Sequence, residues 1–185
     1  MTIDMMSIGS KPEPESTART FVVRDARAEE RAAVRELTLR AYAEFATIMD
    51  AISWAELDGA VRSALDADVP SECIVADDGE MLIGTVTLYP PHVDAYGDGT
   101  RVVGYPEVRL VAVAPDARGR GVARALMEEC IRRARASGAT ALGLHTSRSL
   151  RAAMALYESM GFERAPDTDF QPPGTELVEG YRLRL

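Results

Sequence analysis

The feature that most constrains this chain is the segment from Val111 to Ala123, with the sequence VAVAPDARGRGVA. Its apolar run is expected to end as a strand before Pro115, because proline has no N–H to donate to a neighbouring strand. Gly119 and Gly121 then permit positive φ angles and a close approach of the backbone, and the apolar spacing that follows predicts a helix. Since the first N–H groups of a helix are unpaired and bind anions, the segment predicts a strand, a turn and a helix start that hold a pyrophosphate.

Arginine is concentrated around this turn, although the chain as a whole is acidic. The formal net charge of −8 argues against a nucleic-acid partner, which needs a basic face. Around the turn and along the predicted helix, however, arginines outnumber acidic residues. The six arginines are Arg118, Arg120, Arg124, Arg132, Arg133 and Arg135. An anionic ligand can therefore bind locally, with some guanidinium groups on phosphates and others facing solvent.

Two other glycine-rich phosphate sites do not fit this segment. A P-loop requires Gly-Lys-Ser/Thr, whereas the only lysine of the chain is Lys11. A dinucleotide fingerprint requires G-x-G-x-x-G with an acidic residue about 20 positions later, whereas Gly121 is followed by Arg124. Taken alone, the two glycines are equally compatible with an alternative role, in which they only allow a tight turn between a strand and a helix.

The composition favours one globular domain. Apolar residues make up 46% and charged residues 27% of the 185 residues, close to globular averages. Residues 1–20 lack periodicity and are expected to form a flexible leader, which leaves a single domain over residues 21–185. A cytoplasmic location without a membrane partner is expected, because no run has the pattern of a secretory leader or the length of a membrane span. Cys73 and Cys130 lack metal-ligand spacing, which predicts buried free thiols and no metal.

Hydrophobic spacing and turn residues divide the domain into strands and helices. Ser53 and Glu56 predict a capping box for a second helix that runs to about Ala67. The loop at 90–104 is long enough to form a functional rim, and residues 165–178 are either a pocket flap or a connector. The predicted elements are strands at 21–24, 72–76, 81–89, 107–113, 141–146, 162–164 and 181–185, with helices at 34–45, 53–67, 122–134 and 150–160.

The segment from Val111 to Ala123 resembles the acetyl-CoA-binding motif of the GNAT superfamily of N-acetyltransferases. The superfamily pattern Arg/Gln-x-x-Gly-x-Gly/Ala is met by Arg118, Gly121 and Ala123. Downstream, residues 155–162, ALYESMGF, resemble the LYxxxGF ending of the last helix of that superfamily. The resemblance covers residues 21–162. It implies a GNAT-like mixed α/β fold, with a mostly antiparallel sheet of about six to seven strands and helices on both faces.

The resemblance implies that acetyl-CoA is the cosubstrate. In this superfamily the fourth strand splays from its neighbour, so its backbone is free to hydrogen-bond the pantetheine arm, and the next turn wraps the pyrophosphate. Side-chain identity therefore matters little there except at the glycines. Carried over to this chain, the cofactor-binding residues are Val111, Ala112, Val113, Arg118, Gly119, Arg120, Gly121, Val122, Ala123 and Arg124.

The resemblance also assigns a catalytic role to Tyr157. This residue matches the tyrosine that faces the sulfur of the departing thiolate. Because a phenol has a pKa near 10 and a thiol one near 8.5, a hydrogen bond to the developing charge is an easier role than full proton transfer. The alternative is that Tyr157 is only a core aromatic on its helix.

Glu107 is the candidate general base, because an acid near this position relays protons in several branches of the superfamily. Strand alternation is expected to place Glu107, Arg109, Val111 and Val113 on one face of the sheet. The alternative role for Glu107 is an ion pair with Arg109. His145, at the end of the following strand, is a second candidate base.

One position departs from the family pattern. Many members carry Asn seven residues before the tyrosine, where this chain has Leu150. The polar contact to the cofactor expected there is lost, and Ser149 or Arg151 is a candidate replacement. Tyr42 and Phe45 are the candidate residues toward the acceptor.

The sequence thus predicts an N-acetyltransferase that passes an acetyl group to a primary amine by direct attack in a ternary complex. The amine is a small molecule or a peptide, and the acidic composition favours a cationic one without identifying it. A non-catalytic acyl-CoA sensor of the same fold is the alternative. The oligomeric state stays open between monomer and homodimer.

Overall fold

The computed structural model describes residues 21–94 and 102–185. The predicted leader, and residues 95–101 of the predicted loop at 90–104, lie outside the described residues. The strands are β1 (Val22–Asp25), β2 (Glu72–Asp77), β3 (Leu82–Tyr89), β4 (Glu107–Val113), β5 (Ala141–Ser147), β6 (Glu163–Arg164) and β7 (Val178–Arg184). The α-helices are α1 (Arg31–Ala43), α2 (Ala51–Asp66), α3 (Val122–Ala136) and α4 (Arg151–Ser159).

The strands form one mixed sheet in the order β1-β2-β3-β4-β5-β7-β6. Every neighbouring pair is antiparallel except β4 and β5, which run parallel. Gly84 of β3 lies against Val122 and Leu126 of α3, whereas α1 packs on β3 and β4 from the other face. This architecture confirms the predicted mixed, mostly antiparallel sheet with helices on both faces.

The parallel strands β4 and β5 separate soon after they meet. Their ladder consists of Glu107 opposite Gly143 and Val108 opposite Leu144. From Arg109 to Val113, β4 is paired on its other side with β3, and in the described part of the chain it has no ladder partner toward β5. The splay implied by the family resemblance is therefore present, and it leaves a row of backbone polar groups at the mouth of a cleft.

A β-bulge in β4 accompanies the splay. Thr85 lies opposite Ala112 and Thr87 opposite Arg109, so the single residue between the two threonines faces two residues of β4. Leu110, one of these two, has a φ of 55°. The extra residue reverses the side-chain alternation of β4.

The prediction that Glu107, Arg109, Val111 and Val113 lie on one face of the sheet is consequently wrong. Glu107 and Arg109 point to the same face as each other and away from the two valines. Val113 pairs with Gly84 and therefore lies on the opposite face, together with Val111, because the bulge stands between the two pairs. Alternation predicted from the sequence assumes a regular strand, and this strand is not regular.

The second helix begins earlier than predicted. Asp50 is its N-cap, and its side chain accepts hydrogen bonds from the backbone N–H groups of Ile52 and Ser53. The predicted capping box at Ser53 is wrong because the carboxylate of Asp50 already satisfies the first free N–H groups of the helix. A hydrogen bond from the hydroxyl of Ser53, followed by the one from its backbone N–H, lowers the pKa of Asp50.

The two cysteines are free thiols, as predicted. Cys130 lies on the buried face of α3, and burial raises the pKa of its thiol to about 12. Cys73 is only half-buried, so the expected burial holds fully for Cys130 alone.

Candidate active site

A large cleft opens where β4 separates from β5. It has a volume of about 980 Å³ and is bounded by the free edge of β4, the turn after it, the start of α3, and parts of α1 and α4. The cleft lining includes nine of the ten predicted cofactor-binding residues, namely Val111, Ala112, Val113, Arg118, Gly119, Gly121, Val122, Ala123 and Arg124.

The turn into α3 has the geometry of an anion cradle. Gly119 and Gly121 have φ angles of 74° and 77°, and Gly121 is the N-cap of α3 with no side-chain cap. A Cβ at either glycine would meet nothing within 4 Å, so glycine is needed for the backbone angle rather than for space inside the protein. The first N–H groups of α3 consequently stay open toward the cleft, which suits a pyrophosphate.

The three arginines of the turn are not equivalent. Arg118 lines the cleft and donates a hydrogen bond to Glu44. Arg124 lines it too, and its Nη2 donates to Oγ of Ser159 at 2.6 Å. Arg120 lies outside the cleft lining: its Nη1 is 3.9 Å from Oδ2 of Asp78, in the β2–β3 turn.

Arg120 thus differs in position from the other nine predicted cofactor-binding residues. Its role in cofactor binding stays a prediction.

Tyr157 lies on α4, is 6% exposed and lines the large cleft. Burial raises the pKa of its phenol, and the nearby Tyr42 and Cys130 act in the same direction. The hydroxyl therefore stays protonated at neutral pH. It can donate a hydrogen bond to an acceptor in the cleft, and it can also accept one. Its ring packs on Phe162 with 6.0 Å between centroids, so the core role and the cleft-lining role coexist in one side chain.

A second, smaller cavity of about 210 Å³ adjoins the cleft. Tyr42 and Leu150 line both spaces. Tyr42 meets Phe45 edge to face at 5.3 Å, and burial raises the pKa of Tyr42 to about 12. Of the two predicted acceptor residues, Tyr42 thus stands between the cavities, whereas Phe45 lines only the large cleft.

Glu107 and His145 form a buried pair at the start of the splay. Oε1 of Glu107 lies 3.5 Å from Nδ1 of His145, and their side chains are 4% and 6% exposed. Nε2 of His145 is 2.9 Å from the carbonyl oxygen of Thr168, so this nitrogen carries a proton and donates it. Among the two candidate bases, His145 lines the smaller cavity and Glu107 does not.

Sequence reasoning missed Glu176, which lines the smaller cavity. Its Oε2 accepts hydrogen bonds from the backbone N–H and the hydroxyl of Ser149, at 3.3 and 3.0 Å. Ser149 and Arg151, the candidates for replacing the family asparagine, both line the large cleft. The Ser149 hydroxyl is nonetheless directed to Glu176. No sequence signal marked Glu176, since it stands in a polar segment far from both motifs.

Part of the segment 165–178 forms the outer wall of the smaller cavity. Phe170, Pro172 and Thr175 line it together with Glu176. Phe170 also meets the ring of His145 edge to face at 5.3 Å. The segment was predicted to be a pocket flap or a connector, and its position shows that it lines a pocket; a flap role stays a prediction.

Residues 21–94 and 102–185 hold no cluster of three His, Cys, Asp or Glu side chains that could bind a metal ion. Within the same ranges, no helix has both the length and the apolar character needed to cross a membrane.

Known proteins resemble this chain in both sequence and fold. The model of the acetyltransferase (GNAT) family matches residues 31–162. A mycothiol acetyltransferase from Geodermatophilus obscurus is 33% identical over 123 residues, which are 65% of this chain but only 38% of that protein. A GCN5-related N-acetyltransferase from Kribbella flavida has a TM-score of 0.62 at 25% identity, over 90% of this chain and 98% of its own. The protein yncA of Salmonella typhimurium, solved with its cofactor acetyl-CoA, has a TM-score of 0.59 at 18% identity, over 89% and 94%.

Proposed function

Because the chain belongs to the acetyltransferase (GNAT) family, we propose that it transfers the acetyl group of acetyl-CoA to a primary amine by direct attack in a ternary complex. The observation that carries this proposal is that Tyr42 and Leu150 line both the large cleft and the smaller cavity. A donor and an acceptor can therefore be bound at the same time and in contact, which direct attack requires.

The large cleft fits acetyl-CoA in three independent ways. The unpaired edge of β4 offers backbone groups from Val111 to Val113 to an amide-rich arm. The open start of α3 after Gly121 offers N–H groups to a pyrophosphate. Arg118 and Arg124 add positive charge to the lining. When bound, acetyl-CoA supplies the activated acyl group as a thioester.

A covalent acyl-cysteine intermediate is not supported by the geometry. Neither Cys73 nor Cys130 lines the cleft or the smaller cavity in the described part of the chain. Burial also raises the pKa of both thiols, so little thiolate is present near neutral pH. Direct transfer, in which the C–N bond forms as the C–S bond breaks, is the simpler reaction for this site.

Tyr157 is proposed to stabilise the departing sulfur. Its phenol lines the cleft and holds its proton firmly because burial disfavours the phenolate. Full transfer of that proton to a thiolate, with a thiol pKa near 8.5, is uphill. A hydrogen bond from the hydroxyl to the developing negative charge on sulfur is the role that fits these properties.

Glu107 is proposed to accept the proton of the attacking amine together with His145, which lines the smaller cavity. With Nε2–H donating to Thr168, a neutral His145 presents a lone pair at Nδ1, 3.5 Å from the carboxylate of Glu107. A proton shared between Nδ1 and the carboxylate removes the repulsion between these two acceptors. The amine loses one proton as the amide forms, and this buried pair is proposed to take up that proton.

Thiol release from acetyl-CoA with a panel of primary amines tests the proposal. A ternary complex predicts intersecting lines in double-reciprocal plots at varied amine concentrations, whereas parallel lines would indicate an acyl-enzyme and exclude direct attack. We expect Tyr157→Phe to lower kcat by about 100- to 1,000-fold, as for loss of one oxyanion-type donor, with little change in the Kd for acetyl-CoA.

One outcome would count against the enzymatic proposal: tight binding of acetyl-CoA without thiol release for any amine would support the acyl-CoA sensor instead. A kcat for Tyr157→Phe equal to that of the wild type would count only against the role of Tyr157 and leave it with a packing role. The Geodermatophilus obscurus relative is named a mycothiol acetyltransferase. The aligned residues are little more than a third of that protein, so its name does not identify the acceptor of this chain, and the amine panel is needed to find it.

A further inference from the structure

The smaller cavity contains polar atoms that the proposed mechanism does not use. Oγ1 of Thr146, Oγ of Ser147 and Oε1 of Glu176 are buried and have no hydrogen-bond partner among residues 21–94 and 102–185. All three residues line the cavity, and Thr146 and Ser147 are each only 5% exposed. Unpartnered buried oxygens are unfavourable in a folded protein, so their presence around one cavity indicates a ligand that hydrogen-bonds to them.

Glu176 is held in place from two sides. Its Oε2 accepts two hydrogen bonds from Ser149, and its backbone N–H donates to Oγ of Ser53 on α2 at 3.0 Å. These contacts fix the carboxyl group and leave only Oε1 for a ligand. A carboxylate oxygen is an acceptor and carries negative charge, so the matching ligand group is a cationic donor such as an ammonium.

On the basis of the proposed function, we propose that Glu176 binds an ammonium group of the acceptor other than the amino group that is acetylated. A carboxylate in contact with an amine favours its charged form, whereas the attacking amine has to be neutral. Glu176 therefore suits a second cationic group. The acceptor class that this predicts is a compact diamine.

The other charged groups around the cavity are consistent with this placement. Glu56, His145 and Arg109 also line it. Arg109 belongs to β4 and would repel a cation beside that strand, which leaves the Glu176 side for the second ammonium. The volume of about 210 Å³ lies below the range of pockets for drug-sized ligands, about 300–1,000 Å³, so a short diamine fits better than a larger amine.

A matched pair of probes tests the site. 1,4-Diaminobutane and 1-aminobutane share a carbon chain and differ by the second amine. For the wild-type protein we expect kcat/KM to be about tenfold or more higher with the diamine, as for a hydrogen bond to a charged group. In Glu176→Gln, which keeps the size and removes the charge, the preference should largely disappear through a higher KM. The control is Glu163→Gln, an exposed residue of β6 outside both cavities.

Binding of 1,4-diaminobutane to the protein saturated with CoA, followed by calorimetry, separates this proposal from the enzymatic one. Equal affinity in wild type and Glu176→Gln, or no binding to the wild type, overturns the Glu176 site. Acetylation of both amines with equal kcat/KM by the wild type also overturns it and leaves the proposed function standing. Glu176-dependent binding supports the cationic site, and if no amine of the panel releases thiol at the same time, the proposed function fails while the site stands.

Discussion

The carboxylate of Glu107 and Nδ1 of His145 lie 3.5 Å apart although the two residues belong to different strands. The parallel register explains the contact: Glu107 is opposite Gly143, and His145 follows two residues later on the same face of β5. A side chain at position 143 would collide with the ring of Tyr105, since a Cβ there would be 2.5 Å from it. The pair is therefore built by the one parallel contact in the sheet, at the point where the cleft begins.

Replacing Glu107 with Gln tests the proton-accepting role of the pair. We expect kcat to fall by about 100-fold or more, the range for loss of a general base, while the Kd for acetyl-CoA stays the same. Initial rates at saturating amine and acetyl-CoA, with calorimetry of acetyl-CoA binding, measure both effects.

The control for this experiment is Glu80→Gln, which removes a carboxylate from an exposed turn and lies outside the lining of both cavities. It should leave both kcat and the Kd for acetyl-CoA unchanged. If Glu107→Gln behaves in the same way as this control, the carboxylate only packs against His145 and the proton leaves the amine by another route.

The central part of the fold could be predicted because its signals are local. The strand predicted at 107–113 coincides with β4, and the helix after Gly121 begins where the glycine spacing indicated. Proline, glycine and apolar periodicity act within a few residues, so they can be read from the sequence. Gly138 and Gly161 likewise follow the ends of α3 and α4 with positive φ angles.

The parts that could not be predicted depend on contacts between distant segments. Leu110 takes a positive φ, which its side chain does not favour, because β3 imposes the register of the bulge. The hydrogen bonds from Ser149 to Glu176, and from Glu176 to Ser53, join three separate segments. Local sequence carries no information on such pairings, so Glu176 could not be found from the sequence.

Gly121→Val should weaken acetyl-CoA binding without unfolding the protein. At a φ of 77°, a β-branched residue is strained by about 1–3 kcal/mol, and relief of that strain moves the first N–H groups of α3 out of the cradle. A Cβ there meets no protein atom within 4 Å, so the fold should tolerate it. We expect the Kd for acetyl-CoA, measured by calorimetry, to rise by about tenfold or more.

Gly138→Val is the matched control, because Gly138 has the same φ of 77°, is equally open, and follows the other end of α3. It should lower Tm by a similar amount and leave the Kd for acetyl-CoA unchanged. An unchanged Kd in Gly121→Val would show that the turn does not bind the cofactor through its backbone.

Stability should depend on pH through the ion pairs of Arg24. Nη2 of Arg24 lies 2.6 Å from Oε1 of Glu30 and 2.5 Å from Oδ2 of Asp77. The hydrogen bonds from Arg24, followed by one from the backbone N–H of Arg27, lower the pKa of Glu30 from 4.5 to about 2. Since the pKa is lower in the folded state, this contribution to stability is complete above about pH 4.5 and is lost as the pH falls toward 2.

Glu30→Gln removes this contribution and keeps the size of the side chain. The difference in Tm between wild type and Glu30→Gln, measured by thermal unfolding, should therefore be largest above about pH 5 and should shrink steadily toward pH 2. Glu29→Gln, an exposed neighbour outside this cluster, should give a Tm difference that is small at every pH. A Tm difference for Glu30→Gln that stays constant between pH 6 and pH 2 would mean that the ionised carboxylate does not stabilise the fold, and that Glu30 contributes only through its uncharged contacts.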